Sequence, residues 1–216
     1  MKKNYHMCLS LILILTAFLT AAAGFRDRET ALAARIAPQI LRFHVLANSD
    51  SPEDQALKLE VKTLLLNEIR AGVPEDASKE AICRYITEHS KDLENTARNY
   101  MKSRGFDYPA QVRLETCRFP RKTYGDMTFP AGTYDAVRVL LGEGMGQNFW
   151  CVLYPSLCYL DDTHAVVPED SREVLKSLLP EDDFLALLQA GKSADPEIRG
   201  SLPRIQIRLR IADLFS

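Results

Sequence analysis

Apolar and polar positions along the chain change period several times, and each change marks an element. Residues 40–47 alternate imperfectly and are rich in β-branched and aromatic side chains, which predicts a strand with Leu41, Phe43 and Val45 on one face. The run Asn48, Ser49, Asp50 ends it. Ser51 then offers a capping hydroxyl, Pro52 suits a first helical turn, and Glu53 and Asp54 favour the positive end of a helix dipole. The helix begun there carries Leu57, Val61, Leu64, Leu65 and Ile69 on one stripe and stops at Gly72 and Pro74. A second, longer helix is expected from Ser78 to Gly105, with Ile82, Ile86, His89, Leu93, Ala97, Tyr100 and Met101 on its apolar stripe.

After Pro109 the period falls to two. Val112, Leu114 and Thr116 share one strand face, and Arg113, Glu115 and Cys117 share the other. Residues 119–133 contain two prolines and two glycines and must turn. The apolar runs 134–141 and 149–154 are separated by Gly142, Gly144 and Gly146, which suits a hairpin loop, so these two strands are expected to pair. Helical spacing returns with Val174, Leu175, Leu178, Phe184, Leu185, Leu187 and Leu188, interrupted by Pro180. Ile205, Ile207, Leu209 and Ile211 then alternate with Gln206, Arg208 and Arg210, a last strand that could close a sheet edge. The fold class is therefore α+β: a mixed or antiparallel sheet with two N-terminal helices packed on it and short C-terminal helices before a final strand.

The N-terminus has a different order. Lys2 and Lys3 precede an uncharged apolar run from Met7 to Thr20, and Ala21, Ala22 and Ala23 follow as a small-residue site, the arrangement of a secretory signal peptide over residues 1–23. Cleavage is expected after Ala23. The alternative is an uncleaved anchor, in which residues 21–25 lengthen the run before Arg26, Asp27 and Arg28 stop it. Residues 24–38 then read as a linker and residues 39–216 as a single α+β domain, long enough to bury a core without disulfides. Membrane contact is expected only through the signal segment or through a partner.

Composition narrows the chemistry. The chain has 216 residues, 46% hydrophobic and 26% charged, with a net charge of −2. Without Lys2 and Lys3 the balance is 25 basic to 29 acidic residues, a net charge of −4. Such a chain has no global electrostatic attraction for nucleic acid, whose binding rests on phosphate neutralisation. His44, His89 and His164 lack a second histidine or a cysteine at chelating distance in sequence, so no metal site and no cofactor is expected. There is no serine-esterase elbow and no phosphate loop, and Gln147 stands where a dinucleotide-binding loop would need its third glycine, so no small-molecule ligand is expected either.

Cys8 lies within the signal and too early for a lipidated cysteine, which leaves Cys83, Cys117, Cys151 and Cys158. In an oxidising compartment these four allow three pairings. A local Cys151–Cys158 bridge is geometrically plausible because Pro155 can turn the chain between them; the alternative is two small buried thiols. A free Cys151 with His164 and Asp161 or Asp162 would instead resemble a secreted cysteine-dependent hydrolase acting on the cell envelope. The other candidate is a recognition surface at the strand-to-helix corner, where Asn48, Ser49 and Asp50 project beside Arg42 and His44, although the same corner also reads as a capping loop.

Two stretches carry a family resemblance. Residues 41–59, Leu-Arg-Phe-His-Val-Leu-Ala-Asn-Ser-Asp-Ser-Pro-Glu-Asp-Gln-Ala-Leu-Lys-Leu, and residues 148–158, Asn-Phe-Trp-Cys-Val-Leu-Tyr-Pro-Ser-Leu-Cys, resemble stage II sporulation protein R of endospore-forming bacteria. The resemblance implies a protein made in the forespore and secreted across the forespore membrane into the intermembrane space between forespore and mother cell. There it would activate a membrane-embedded aspartic protease, the sigma-E processing peptidase, without catalysing a reaction itself.

Overall fold

The computed structural model describes residues 2–158 and 167–192. A long helix α1 (Lys2–Ile36) leads through a 3-10 turn (Ala37–Gln39) into strand β1 (Leu41–Leu46). Helices α2 (Pro52–Gly72), α3 (Lys79–Glu88) and α4 (Ser90–Ser103) follow, then strands β2 (Ala110–Phe119), β3 (Lys122–Tyr124), β4 (Met127–Phe129), β5 (Gly132–Leu141) and β6 (Asn148–Tyr154). Helices α5 (Glu169–Leu178) and α6 (Glu181–Lys192) complete the described chain. This is the expected α+β architecture. The expected last strand, 205–211, lies outside the described residues.

The main sheet has the order β2-β5-β1-β6, with β1 parallel to β5 and antiparallel to β6. The expected pairing of the runs 134–141 and 149–154 is thus overturned: β5 and β6 do not pair, because β1 lies between them and pairs with both. A loop of six residues, 142–147, is long enough to step over one strand at the roughly 4.8 Å strand spacing, and β1 is flanked by runs apolar enough to bury it. All six residues of β1 are buried, as befits a central strand covered on both faces.

Each face of the sheet has its own core. Leu41, Phe43 and Val45 of β1 meet Leu57, Val61, Leu65, Leu66 and Ile69 of α2 together with Ile82, Ile86, Leu93, Ala97 and Met101 of α3 and α4. Leu66 takes the buried place expected for Leu64, which is only half-buried. The helix starts as its sequence dictates, with the Ser51 hydroxyl accepting the Asp54 N–H at 3.1 Å and Pro52 in the first turn. The single second helix expected from Ser78 is two. At His89 the backbone leaves helical geometry (φ −108°, ψ 16°), and the Tyr85 carbonyl faces both the His89 N–H and the imidazole Nδ1 at 2.9 Å.

The opposite face is covered by the β3–β4 hairpin, the end of α1, and α5 with α6. Residues 24–38, expected as a linker, are helical as far as Ile36 and contribute to this core: Ala33 and Ile36 are buried beside Phe119, Phe129, Tyr134, Leu175 and Leu187. Two ion pairs fasten the same helix, Glu29–Arg121 at 2.6 Å and Arg35–Asp183 at 2.7 Å. Upstream, Leu9 to Phe25 present exposed apolar side chains on a helix long and apolar enough to cross a membrane.

Candidate interaction site

The strand-to-helix corner is built by the end of β1 and the start of α2, and most of its polar groups hold the fold. Asn48 Nδ2 and Ser49 Oγ donate to the Asp54 carboxylate at 2.9 and 2.6 Å. Burial resists ionisation of Asp54, but these donors, with Tyr108, outweigh it and hold the carboxyl below its ordinary range. The 142–147 loop then closes over the same corner. The Gly146 N–H donates to the Ala47 carbonyl at 2.9 Å, the Glu143 N–H to Asn48 Oδ1 at 3.0 Å, and the Gln147 N–H to Asp50 Oδ1 at 2.6 Å. From α2, buried Lys58 donates to the Gln147 carbonyl at 3.0 Å. Gly142 has φ +60° with Asn48 against its Cα, and Gly146 lies on the Ser49 carbonyl, so side chains at either place would collide with the clasp. Of the three corner residues only Asp50 is exposed.

Arg42 and His44 point to the other face of β1 and away from that corner. Arg42 is fully buried, with its guanidinium carbon 4.6 Å from the ring centre of Phe119, 5.3 Å from Tyr134, 5.7 Å from Phe129 and 5.9 Å from Tyr124. Its one polar contact is Nη2 with the Tyr124 hydroxyl at 3.4 Å, while Nε and Nη1 have no partner among the described residues. Burial lowers the Arg42 pKa and raises that of Tyr134 to about 12. A cation in a strand that is apolar on both sides was the available signal for such a cage. The four rings could not be assigned to it, because they come from segments 77 to 92 residues away.

His44 is 6% exposed and stacks on Trp150 of β6, ring centres 3.7 Å apart, with Phe119 at its edge. Neither ring nitrogen is in hydrogen-bonding geometry with a described residue, and burial pushes the imidazole down to about 4 against a weaker pull from the nearby Asn148 amide. Arg42 and His44 are therefore beyond the reach of a partner, and of the five corner candidates Asp50 is the one directed to solvent.

Cys151 and Cys158 form a disulfide with Cα atoms 5.1 Å apart, which leaves no thiolate at Cys151. Cys83 and Cys117 are free, half-buried, and have thiol pKa values raised by burial. The other members of the hydrolase constellation, Asp161, Asp162 and His164, lie outside the described residues. Among the described residues no group of His, Cys, Asp and Glu could hold a metal ion. A cleft of about 530 Å³ opens where the end of β6 meets α2 and α5, lined by Ile69, Val73, Leu153, Pro155 and Val174, with Arg70, Glu75 and Asp170 also bordering it.

Surfaces left for recognition include the sheet edges, which sequence patterning had not singled out. On β6 the outward carbonyls of Trp150 and Val152 accept from the Tyr124 hydroxyl at 3.2 Å and the Leu157 N–H at 3.0 Å. On β2 the Val112 N–H donates to Glu94 of α4 at 3.1 Å, and Leu114 stands 40% exposed beyond it.

The family model for stage II sporulation protein R (spore_II_R) matches residues 37–164, which span β1 to β6 and both corner and disulfide. Stage II sporulation protein R of Bacillus subtilis (strain 168) is 33% identical to the chain, with 100% of each chain covered. No solved structure matches. With one match over more than half of its length and the other over all of it, the chain belongs to the stage II sporulation protein R family.

Proposed function

We propose that this protein is a secreted sporulation signal that acts by binding and performs no chemistry of its own. It is made in the forespore, crosses the forespore membrane by its N-terminal apolar helix, and activates the membrane-embedded sigma-E processing peptidase, which then cleaves the pro-sigma-E precursor in the mother cell. Membership of the sporulation family over the full chain carries this reading. An apolar N-terminal helix able to enter a membrane and a disulfide suited to an oxidising space support export. The Cys151–Cys158 bridge supports a non-enzymatic role, since it ties up the nucleophile of the candidate hydrolase constellation.

A ligand activates a protease only if it binds the active arrangement more tightly than the inactive one. The test is co-expression of the chain, the peptidase and its sigma precursor in a host without sporulation genes. Cleavage is expected with the exported form and not with a form lacking residues 1–23. Failure of the exported, folded protein to trigger cleavage by competent peptidase would overturn the proposal. Thiol titration of the exported, signal-cleaved protein is expected to find two free thiols, Cys83 and Cys117, without loss of signalling; a reactive Cys151 would favour a thiol enzyme.

A further inference from the structure

The two edges of the main sheet are not equivalent. On β6 two outward carbonyls, those of Trp150 and Val152, are taken from within by Tyr124 and Leu157, which stand where an added strand would have to lie. Along β2 the antiparallel alternation with β5 turns the backbone groups of Val112, Leu114, Thr116 and Arg118 outward. Glu94, itself buried and paired with Lys91 at 2.8 Å, takes the Val112 N–H and closes the edge there. From Leu114 to Arg118 no described residue accepts the outward N–H groups. Long open edges invite pairing, and proteins ordinarily blunt them. Among the described residues only Glu94 blunts this edge, at its first position.

The side chains beside the open stretch share a charge. Arg113 and Arg118 are exposed and meet no carboxylate among the described residues; Arg113 reaches only Gln111, at 2.7 Å. The one acid of the stretch, Glu115, is engaged by Arg138 at 3.1 Å. A chain of net charge −2 thus places two uncompensated cations, one on each face of the strand, around an exposed leucine.

We propose that the outer edge of β2, from Leu114 to Arg118, accepts an extended acidic segment of the partner protein as a fifth strand. This rests on the function proposed above and assigns the surface through which the partner docks. Main-chain hydrogen bonds to Leu114, Thr116 and Arg118 supply affinity, an apolar partner side chain covers Leu114, and partner carboxylates meet Arg113 and Arg118. Glu94 ends the added strand at Val112. Two other occupants fit less well. The segment 204–210 of this chain carries Arg204, Arg208 and Arg210 and would set cations against cations. A second copy paired antiparallel about Thr116 would bring Arg113 and Arg118 of both chains onto one junction and again set cations against cations.

The experiment is amide hydrogen exchange of the exported protein with and without purified sigma-E processing peptidase in detergent, alongside precursor cleavage by two variants. Protection of the Leu114, Thr116 and Arg118 amides by the peptidase is expected. Cleavage is expected to fall about tenfold or more in the surface double variant Arg113→Glu/Arg118→Glu and in Thr116→Pro, which removes an outward N–H that β5 does not use. Two folded variants with wild-type cleavage, or peptidase-induced protection confined to other surfaces, would overturn the assignment. Protection already present in the free protein and lost on removal of residues 203–216 would assign the edge to the chain's own tail, and protection that grows with the concentration of the chain alone would assign it to a second copy; either overturns the proposal. If the wild-type protein neither binds nor triggers cleavage, the proposed function falls and takes this partner with it, a result distinct from active wild type with indifferent edge variants.

Discussion

Arg42 is a buried cation held by four aromatic rings in place of a carboxylate. Ring faces return part of the lost hydration, at roughly 0.5–2 kcal/mol per contact, while Nε and Nη1 have no partner among the described residues. Replacing such a cation by an apolar side chain of similar length costs little, whereas truncating it leaves a hole. Arg42→Met is therefore expected to stay within about 1 kcal/mol of the parent in urea unfolding, and Arg42→Ala to lose about 3 kcal/mol. His44 gives a pH-dependent counterpart. Above pH 6.5 it is neutral in both states; between 6.5 and about 4 the unfolded chain takes up a proton that the folded chain refuses, so stability falls as pH falls through that window and the loss levels off below about 4. The full effect is on the order of 3 kcal/mol, and His44→Phe is expected to flatten the curve of unfolding free energy against pH over this range.

At the scale of elements, the 142–147 loop and the end of β1 form one unit. Asn48 binds both the Glu143 N–H and Asp54, so Asn48→Ala leaves a backbone donor and part of a carboxylate unserved and is expected to destabilise by about 2 kcal/mol. Ser51→Ala removes only the helix cap and is expected to cost about 1 kcal/mol, measured by the same denaturant midpoint. Both variants should keep signalling at temperatures where they remain folded, because Asn48 and Ser51 direct their side chains into the fold. The disulfide belongs to this scale as well. It closes a short loop next to β6, and Cys151→Ser/Cys158→Ser is expected to lower stability by about 2 kcal/mol, since little chain entropy is removed by so short a bridge.

Across the whole molecule, the decisive feature is that the helix long and apolar enough to cross a membrane is the same helix that completes the second core. Ala33 and Ile36 are buried, and Glu29 and Arg35 hold Arg121 and Asp183. A chain beginning at residue 24 keeps these contacts and is expected to unfold at the same midpoint as the full-length chain in detergent. A chain beginning at residue 38 loses two buried side chains and two ion pairs and exposes Phe119, Phe129 and Leu187. It is expected to lose about 3 kcal/mol or more and to bind a hydrophobic dye, read by thermal unfolding and dye fluorescence. If the anchor stays attached, the same weld gives the sheet a defined orientation relative to the membrane rather than a free swing on a linker.

Local rules were enough for most of the elements, but not for the break of the expected 78–105 helix at His89 or for the β3–β4 hairpin. Alternation placed β1 and β2, apolar runs bounded by glycines placed β5 and β6, Ser51 and Pro52 began α2, and Pro180 separated α5 from α6, because capping, turn chemistry and face periodicity act within a few residues. The apolar N-terminal helix and the nearness of Cys151 to Cys158 were legible for the same reason, and two short stretches sufficed for the family. Tertiary structure decided what lies between distant segments. It inserted β1 between the two strands expected to pair, turned the expected linker into core, and spent the corner on clasping a loop. It also drew four rings around Arg42 and left the β2 edge beyond Val112 without an acceptor among the described residues. Neighbours in a sheet or a cage are chosen by burial and backbone pairing across tens of residues, and no local period records which segment will win that competition.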